Sequence, residues 1–312
     1  MTAFAFVFPG QGSQSVGMLD AWGDHPAVRD TLAEASEALG EDMARLIAQG
    51  PKESLDLTTN TQPVMLTAGV ACWRAWLAET GLTPAAVAGH SLGEYTALVA
   101  AGALTLKDAL PLVRFRAQAM QEAVPVGAGG MAAILGLDAD AVKAGCAEAA
   151  AACGEAVEAV NFNDPKQTVI AGTKAGVDKA CEVLKAAGAK RALPLSVSAP
   201  FHSSLMKPAA ERLKAQLAAT PFAVPAIPVV NNIDVAVATE ADAIRDALYR
   251  QAFGPVRWVE TILALKARGL GHVIECGPGK VLAGMVKRID GDLVTATVFD
   301  PASLQDVKAV LA

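Results

Sequence analysis

The heptapeptide GHSLGEY, residues 89–95, places a serine between two glycines where two apolar segments meet. The pattern Gly-x-Ser-x-Gly is typical of a nucleophile elbow, a strained strand-to-helix turn that presents the serine hydroxyl. Flanking glycines let neighbouring backbone pass close to such a turn. The alternative is that Ser91 only caps the following helix, as serines often do. A predicted strand before the motif and a predicted helix after it favour the nucleophile.

A nucleophilic serine needs a general base, and the chain has four histidines. His90 adjoins the serine, and we expect it to point away and pack. His25 lies in a polar loop and is expected to be solvated, whereas His272 opens a predicted strand and is expected to be structural. His202, in SAPFHSS, lies where the chain returns from a predicted inserted lobe, so it is the candidate base. No obvious acid completes a triad, which leaves a Ser–His dyad without a carboxylate.

Composition excludes several classes of function. The formal net charge of −6 argues against general nucleic-acid binding. No apolar stretch is long enough to span a membrane, and the first residues lack the features of a signal peptide, so we expect a cytoplasmic protein. Five scattered cysteines without CxxC spacing predict neither a disulfide framework nor a metal site.

The order of predicted elements indicates an α/β body with a parallel sheet, of the α/β-hydrolase-like kind. Apolar runs alternate with segments that have helical spacing. Strands are predicted at 4–8, 85–90, 224–230 and 272–277, and helices at 30–48, 62–79, 107–122, 204–219, 240–252 and 255–268, with a closing helix after GPGK.

A segment in the middle of the chain follows a different order. Strands are predicted at 131–137, 156–162, 167–172 and 191–197, with helices at 138–152 and 174–187. This βαββαβ order is that of a ferredoxin-like unit. We therefore predict a small ferredoxin-like subdomain at 127–197, inserted into a large subdomain made of 1–126 and 198–312.

Two glycine-rich loops resemble phosphate-binding loops only superficially. In FPGQGSQ the third glycine of GxGxxG is replaced by Ser15, and in GPGK the first Walker glycine is replaced by Ile274. Residues 10–12 are better explained as a loop that brings backbone amides near Ser91. A simple tight turn explains them equally well.

Six motifs in order resemble malonyl-CoA:acyl carrier protein transacylases, which are related to the acyltransferase domains of polyketide synthases. They are FVFPGQGSQ, GHSLGEY, the RxxxMQ of 116–121, VNFN, the FHS around residue 202, and GPGKVL. The resemblance runs from residue 4 to about residue 289 and includes the inserted lobe. It implies a ping-pong transfer of malonyl from coenzyme A to acyl carrier protein.

The resemblance also implies the catalytic roles. Ser91 would attack the malonyl thioester, with His202 as general base. The main-chain carbonyl of Gln251 would orient the histidine, which accounts for the missing carboxylate. Backbone amides of Gln11 and Leu92 would hold the oxyanion.

Substrate selection falls to three further residues under the resemblance. Arg116 would clamp the free malonyl carboxylate through two hydrogen bonds. From the residues alone, Arg114 is an equal candidate, but positions two apart on a helix point in different directions. Met120 would line the pocket, or belong to the ordinary core. Phe201 would crowd an α-methyl branch.

Two asparagines also lie in segments that match the family, Asn161 in VNFN and Asn231 in VVNN. Asparagine side chains often cap turns. We expect turn capping, rather than substrate binding, at both positions.

The implied partners are malonyl-CoA and acyl carrier protein, whose phosphopantetheine carries the product. No permanently bound cofactor is expected, and we expect a monomer. Acyl carrier proteins are acidic, so a local basic surface is needed on this acidic chain. One candidate group is Lys185, Lys190 and Arg191, and the other is Lys280, Lys287 and Arg288. A hydrolase on the same elbow, and a non-catalytic carrier-binding module, are the alternative functions.

Overall fold

The computed structural model describes residues 2–197 and 199–312. None of the helices in this described part is long and apolar enough to cross a membrane. The strands are β1 (Phe4–Phe8), β2 (Ala86–Gly89), β3 (Gly129–Leu135), β4 (Val157–Asp164), β5 (Gln167–Thr173), β6 (Arg191–Pro194), β7 (Val229–Val230), β8 (His272–Cys276) and β9 (Val294–Val298). The helices are α1 (Pro26–Leu39), α2 (Met43–Gln49), α3 (Lys52–Leu55), α4 (Thr58–Thr80), α5 (Gly93–Ala100), α6 (Leu106–Glu122), α7 (Ala139–Cys153), α8 (Lys174–Ala186), α9 (Lys207–Ala219), α10 (Ala241–Gln251), α11 (Trp258–Ala267), α12 (Val281–Ile289) and α13 (Pro301–Leu311).

The body is built on a five-stranded parallel sheet in the order β7-β2-β1-β8-β9. Its central strand, FAFVF, is buried on both faces, as the run of apolar residues predicts. The phenylalanines of β1 pack on one side against Trp73 and Trp76 of α4, whereas Ala5 and Val7 face the cluster that includes α11 and α12. Helices therefore cover both faces, and the predicted fold class is confirmed.

The small lobe is an antiparallel sheet in the order β4-β5-β3-β6, with α7 and α8 on one face. The order βαββαβ is the one predicted. Alternation in β3 divides its side chains: Ala132 and Ile134 pack under the helices, and Met131 and Ala133 join the core of the body. The division at 127–197 stays a prediction, and residue 198, where we placed the return to the body, lies outside the described residues.

One strand of the small lobe, β4, carries most of the polar contacts to the body. Phe162 donates its backbone N–H to the carbonyl of Val256 at 3.0 Å, and the Val256 N–H donates to Val160 at 2.8 Å. Side-chain hydrogen bonds to the body lie on both sides of these backbone contacts along β4. The pairs are Glu158 with Ser204, Asn163 with His90, and Asp164 with Arg288.

Several predicted elements were wrong in length, among them the strand predicted at 191–197, which contains only Arg191–Pro194. The single helix predicted at 30–48 is divided into α1 and α2, because Gly40 adopts a left-handed conformation (φ 64°) that ends α1. The strand predicted at 224–230 contains only Val229–Val230. Pro225 and Pro228 lack the N–H groups that a ladder requires.

The last strand and the last helix of the structure were not predicted from the sequence. β9 adds VTATV to the parallel sheet beside β8, and its β-branched residues were the available signal. Helix α13 follows, with Asp300 and Ser303 forming a capping box and proline at the first helical position.

A carboxylate is buried at the carboxyl end of β8. Glu275 is fully buried, and its Oε2 accepts a hydrogen bond from the Ala283 N–H in the first turn of α12, at 2.8 Å. Its Oε1 has no hydrogen-bond partner among the described residues. Burial raises the pKa of Glu275 to about 7, against the opposing effect of the helix amides.

This raised pKa predicts a pH-dependent stability. Glu275 favours folding fully below the unfolded pKa near 4.5, and the contribution is lost as pH rises through about 7. Relative to Glu275→Gln, the free energy of unfolding of the wild type should therefore fall by about 3 kcal/mol between pH 4 and 8. Urea denaturation of both proteins across this range measures the difference. A difference independent of pH contradicts the assignment.

Candidate active site

Ser91 lies on a strained turn between β2 and α5. Its φ is 53°, in the left-handed region that side chains rarely adopt. A Cβ on Gly89 would lie 1.9 Å from the carbonyl of Gly93, and one on Gly93 would lie 2.1 Å from the Phe8 carbonyl oxygen. Only glycine fits at these two positions, which gives the predicted elbow its physical reason.

The elbow is held by an asparagine that the sequence analysis missed. Asn232 is fully buried, and its Oδ1 accepts the backbone N–H of Ser91 at 2.7 Å. Its Nδ2 donates to the Gly89 carbonyl at 2.7 Å. One amide therefore holds both the end of β2 and the strained residue. The neighbouring Asn231 accepts from the Asp234 N–H, so its predicted turn-capping role is confirmed.

Ser91 and His202 meet although 111 residues separate them in the chain. Ser91 Oγ lies 2.7 Å from His202 Nε2, and His202 Nδ1 lies 2.9 Å from the main-chain carbonyl of Gln251. The carbonyl accepts only, so Nδ1 carries the proton and Nε2 accepts from the serine hydroxyl. The geometry is that of a nucleophile, a base and an orienting acceptor that is not a carboxylate.

The imidazole of His202 is held neutral by its surroundings. His202 is 4% exposed, and burial followed by the nearby charge of Arg116 lowers its pKa to about 3. A neutral imidazole is the form that accepts a proton. His202 is therefore available as a base throughout the neutral range.

The side chain of Arg116, from α6, also reaches the Ser91 hydroxyl. Its side chain is buried, with Nη2 at 3.3 Å from Ser91 Oγ and 3.0 Å from Gln251 Oε1. Nη1 donates to Gln62 Oε1 at 2.8 Å, and the guanidinium lies over the ring of Tyr95. Within residues 2–197 and 199–312, no carboxylate forms an ion pair with it, and its Nε has no hydrogen-bond partner. Arg114, the other candidate, pairs with Glu41 instead.

The loop after β1 lies against the elbow. A Cβ on Gly10 would come within 2.5 Å of the His90 carbonyl oxygen and 3.7 Å of the Leu92 nitrogen. Gln11 and Leu92 both line the pocket at Ser91. The structure thus brings together the two residues whose amides we expect to hold an oxyanion, and that role stays a prediction.

A pocket of about 120 Å³ opens at Ser91 between the two lobes. Met120 and Phe201 both line it, as expected for residues that would contact the acyl group. Asn161 lines it as well, and the expectation that it caps a turn was wrong: it lies within β4, at a bulge. The remaining lining residues are Gln11, Gln62, His90, Leu92, Arg116, Met131, Leu195, Val197 and His202.

A wider groove of about 620 Å³ continues from this pocket. It runs between the loop after β1 and the inner face of the small sheet, where Ala133 and Val169 lie. His90 borders both cavities; its Nε2 donates to Asn163 at 2.8 Å, and its ring packs edge-on against Trp258. The expectation that His90 packs away from the serine hydroxyl is consistent with these contacts.

Comparison with known proteins agrees with this geometry. The acyl transferase domain family matches residues 5–295. A malonyl CoA-acyl carrier protein transacylase from Salmonella typhimurium is 54% identical over 97% of this chain and 98% of its own length. The chain belongs to the malonyl CoA-acyl carrier protein transacylase family.

Solved structures support the same assignment. An acyl-carrier-protein S-malonyltransferase from Burkholderia pseudomallei is 68% identical, with a TM-score of 0.96 over 98% of this chain and 99% of that one. A malonyl-transacylase in complex with a type II polyketide acyl carrier protein is 51% identical, with a TM-score of 0.95 over 97% and 98% of the two chains. The family resemblance and the acyltransferase activity expected from sequence are confirmed.

The role of Asn232 generates a prediction with a matched control. Asn232→Ala removes both hydrogen bonds that hold the elbow, so acylation of Ser91 should slow by about 10- to 100-fold. Asn231→Ala, one residue away, loses only a turn cap and should stay within about threefold of wild type. Rapid-quench measurement of acyl-enzyme formation compares the two. Equal effects would show that Asn232 does not position the nucleophile.

Proposed function

We propose that this protein transfers the malonyl group from malonyl-CoA to the phosphopantetheine thiol of acyl carrier protein through a malonyl ester on Ser91. The transfer supplies chain-extension units to fatty acid synthesis. Relatives that align along almost the whole chain carry this activity in their names, and one structural relative is bound to its acyl carrier protein.

The observation that carries the proposal is the buried guanidinium of Arg116, 3.3 Å from the nucleophile and without an ion-pair partner in the described part of the chain. A buried charge is stable only when paired or well hydrogen-bonded. A malonyl group attached at Ser91 would bring its free carboxylate to this cation. An acetyl group would leave the charge unpaired, so the site favours an acyl group that carries an anion.

The first half-reaction uses the neutral imidazole. As Ser91 Oγ attacks the thioester carbonyl carbon, its proton moves to His202 Nε2. The carbonyl oxygen becomes the oxyanion, for which we propose the backbone amides of Gln11 and Leu92. The C–S bond then breaks, coenzyme A leaves with the proton from His202, and the malonyl ester remains.

The second half-reaction reverses these roles. The carrier thiol gives its proton to His202 as the sulfur attacks the ester carbonyl. Ser91 Oγ leaves and takes that proton back, which restores the starting state. The imidazolium exists only transiently, and its Nδ1–H donates to the Gln251 carbonyl throughout.

The groove beside the pocket suits the pantetheine arm shared by both substrates, because it leads from solvent to Ser91 between the lobes. Its walls combine apolar residues such as Val169 with amide side chains such as Gln167. We propose that the two subdomains, 1–126 with 198–312 and 127–197, form the two walls. We further propose that the protein works in the cytoplasm as a monomer and without a permanently bound cofactor.

A covalent-trapping experiment tests the transfer. Protein mixed with malonyl-CoA and quenched in acid should show malonyl on Ser91 by peptide mass spectrometry, and the adduct should clear on addition of acyl carrier protein. Absence of the adduct would overturn the proposal. Clearance in buffer as fast as with carrier would indicate a hydrolase.

Substitution of the clamp tests acyl selection. In Arg116→Ala, kcat/KM for malonyl-CoA should fall by about 100-fold or more, because the carboxylate loses its charged partner, while acetyl transfer holds or rises. Arg114→Ala is the matched control, two residues away on α6 and paired with Glu41. Equal loss for both acyl groups in Arg116→Ala would show a structural role only.

Two basic surfaces were candidates for docking the acidic carrier. Lys287 donates to the Gly291 carbonyl, and Arg288 pairs with Asp164. Lys185, Lys190 and Arg191 are exposed and form no ion pair within the described part of the chain. We propose that Lys185, Lys190 and Arg191, at the rim of the small lobe, form the docking surface for acyl carrier protein.

Charge reversal separates the two surfaces. Lys190→Glu combined with Arg191→Glu should raise KM for acyl carrier protein by about tenfold and leave the rate of Ser91 malonylation by malonyl-CoA unchanged. Lys280→Glu combined with Lys287→Glu is the comparison. If only the latter pair raises KM for the carrier, docking occurs at the other surface.

A further inference from the structure

Helix α5, which follows Ser91, contains one charged residue in an otherwise uncharged sequence, GEYTALVA. That residue, Glu94, is 2% exposed and contacts neither the pocket nor the substrate path. Its Oε2 accepts two hydrogen bonds, from the Asn232 backbone N–H at 2.9 Å and from Gln251 Nε2 at 3.0 Å. A carboxylate buried in this way needs a reason, because it costs stability unless it is well paired.

The contact with Gln251 determines which way that side-chain amide faces. Gln251 Nε2 lies between two acceptors, Glu94 Oε2 and the Ser91 carbonyl oxygen, each at 3.0 Å. Only an NH₂ group can satisfy both, so the amide oxygen must face the other way. There it accepts from Arg116 Nη2 at 3.0 Å. A reversed amide would present NH₂ to a guanidinium, which has no acceptor.

This chain of contacts fixes the malonyl clamp. Arg116 is held by Gln251 on one side and by Gln62 on the other, both through neutral oxygens. These acceptors hold the guanidinium in place without neutralising it. Glu94 lies one amide away, with Gln251 between them, and in its ionised form it raises the pKa of Arg116 against the lowering effect of burial.

We propose that Glu94 is a positioning residue that sets the preference for malonyl over acetyl by fixing the Gln251 amide, which in turn holds Arg116 aimed at the acyl carboxylate. The proposal rests on the proposed function of Arg116. It assigns to Glu94 no contact with substrate. The pKa of Glu94 is raised by burial to about 7, so the opposing hydrogen bonds from Asn232 and Gln251 do not fully offset desolvation.

Two substitutions distinguish the role of Glu94 as a hydrogen-bond acceptor from the role of its negative charge. Glu94→Met keeps the size of the side chain but removes the acceptor, so the Gln251 amide is held by the Ser91 carbonyl alone and positions Arg116 less firmly. The ratio of kcat/KM for malonyl-CoA to that for acetyl-CoA should fall by about tenfold or more. Glu94→Gln keeps an oxygen that can accept both hydrogen bonds, and it should keep the ratio within about threefold of wild type.

Glu275 supplies a matched control. It is also buried, also has a pKa raised to about 7, and lies in β8, where it contacts α12 and not the site. Glu275→Met should lower the thermal unfolding temperature and leave the malonyl-to-acetyl ratio unchanged. A wild-type ratio in Glu94→Met, or an equal loss in Glu275→Met, would overturn the proposal.

A second variant serves if Glu94→Met does not fold. Gln251→Met removes the side-chain amide and retains the main-chain carbonyl that orients His202, so the same loss of selectivity is expected. An unchanged ratio there would also overturn the proposal. Failure of the proposed function is distinguishable, because it would show as no malonyl-Ser91 in the wild type.

Discussion

The site depends on a buried guanidinium that has no carboxylate in direct contact within residues 2–197 and 199–312. Arg116 is surrounded by neutral oxygens, those of Gln62, Gln251 and Ser91, and by the ring of Tyr95. Such an arrangement is less stable than an ion pair, and burial lowers the pKa of the group accordingly. Under the role proposed for Arg116, the carboxylate of the acyl group would supply the missing partner. Binding energy and acyl selectivity would then arise from the same charge.

The same charge gives a reason for the backbone carbonyl, in place of a carboxylate, that the described residues place at His202 Nδ1. Gln251 contacts His202 through its main-chain oxygen and Arg116 through its side-chain oxygen. The imidazole and the guanidinium are therefore bridged by a single residue. A carboxylate placed there to orient His202 would also lie beside Arg116 and would compete with the malonyl carboxylate. A backbone carbonyl orients the imidazole without carrying a charge. It also permits the low pKa that keeps His202 neutral.

Local geometry predicted the elbow, and the family resemblance supplied its distant neighbours Gln251 and Arg116 and supported the choice of His202 as the base. Asn232 and Glu94, to which the resemblance assigned no role, were missed. The elbow could be predicted because Ser91 and its glycines form one short turn. Asn232 lies 141 residues from the amide that it holds, and its neighbour Asn231 looks identical in sequence. Glu94 did carry a signal, as the one charge in an otherwise uncharged helix, but its partners depend on how α10 packs. The spacing of apolar residues also failed to predict that Gly40 divides the helix expected at 30–48. The helical spacing continues across Gly40, although this residue ends α1.

The position of the small lobe follows from constraints on the catalytic turn. Strand β4 contacts the body at Ser204, Val256 and His90, which follow or precede His202, Gln251 and Ser91 by at most five residues. Hydrogen bonds thus join the lobe to the body beside each of His202, Gln251 and Ser91, whose relative positions the site depends on. At the other edge of the lobe, β6 leads into Leu195 and Val197, which line the groove. Hydrogen bonds on the β4 side thus hold the segments next to Ser91, His202 and Gln251 together, while the cleft is open on the side of the groove.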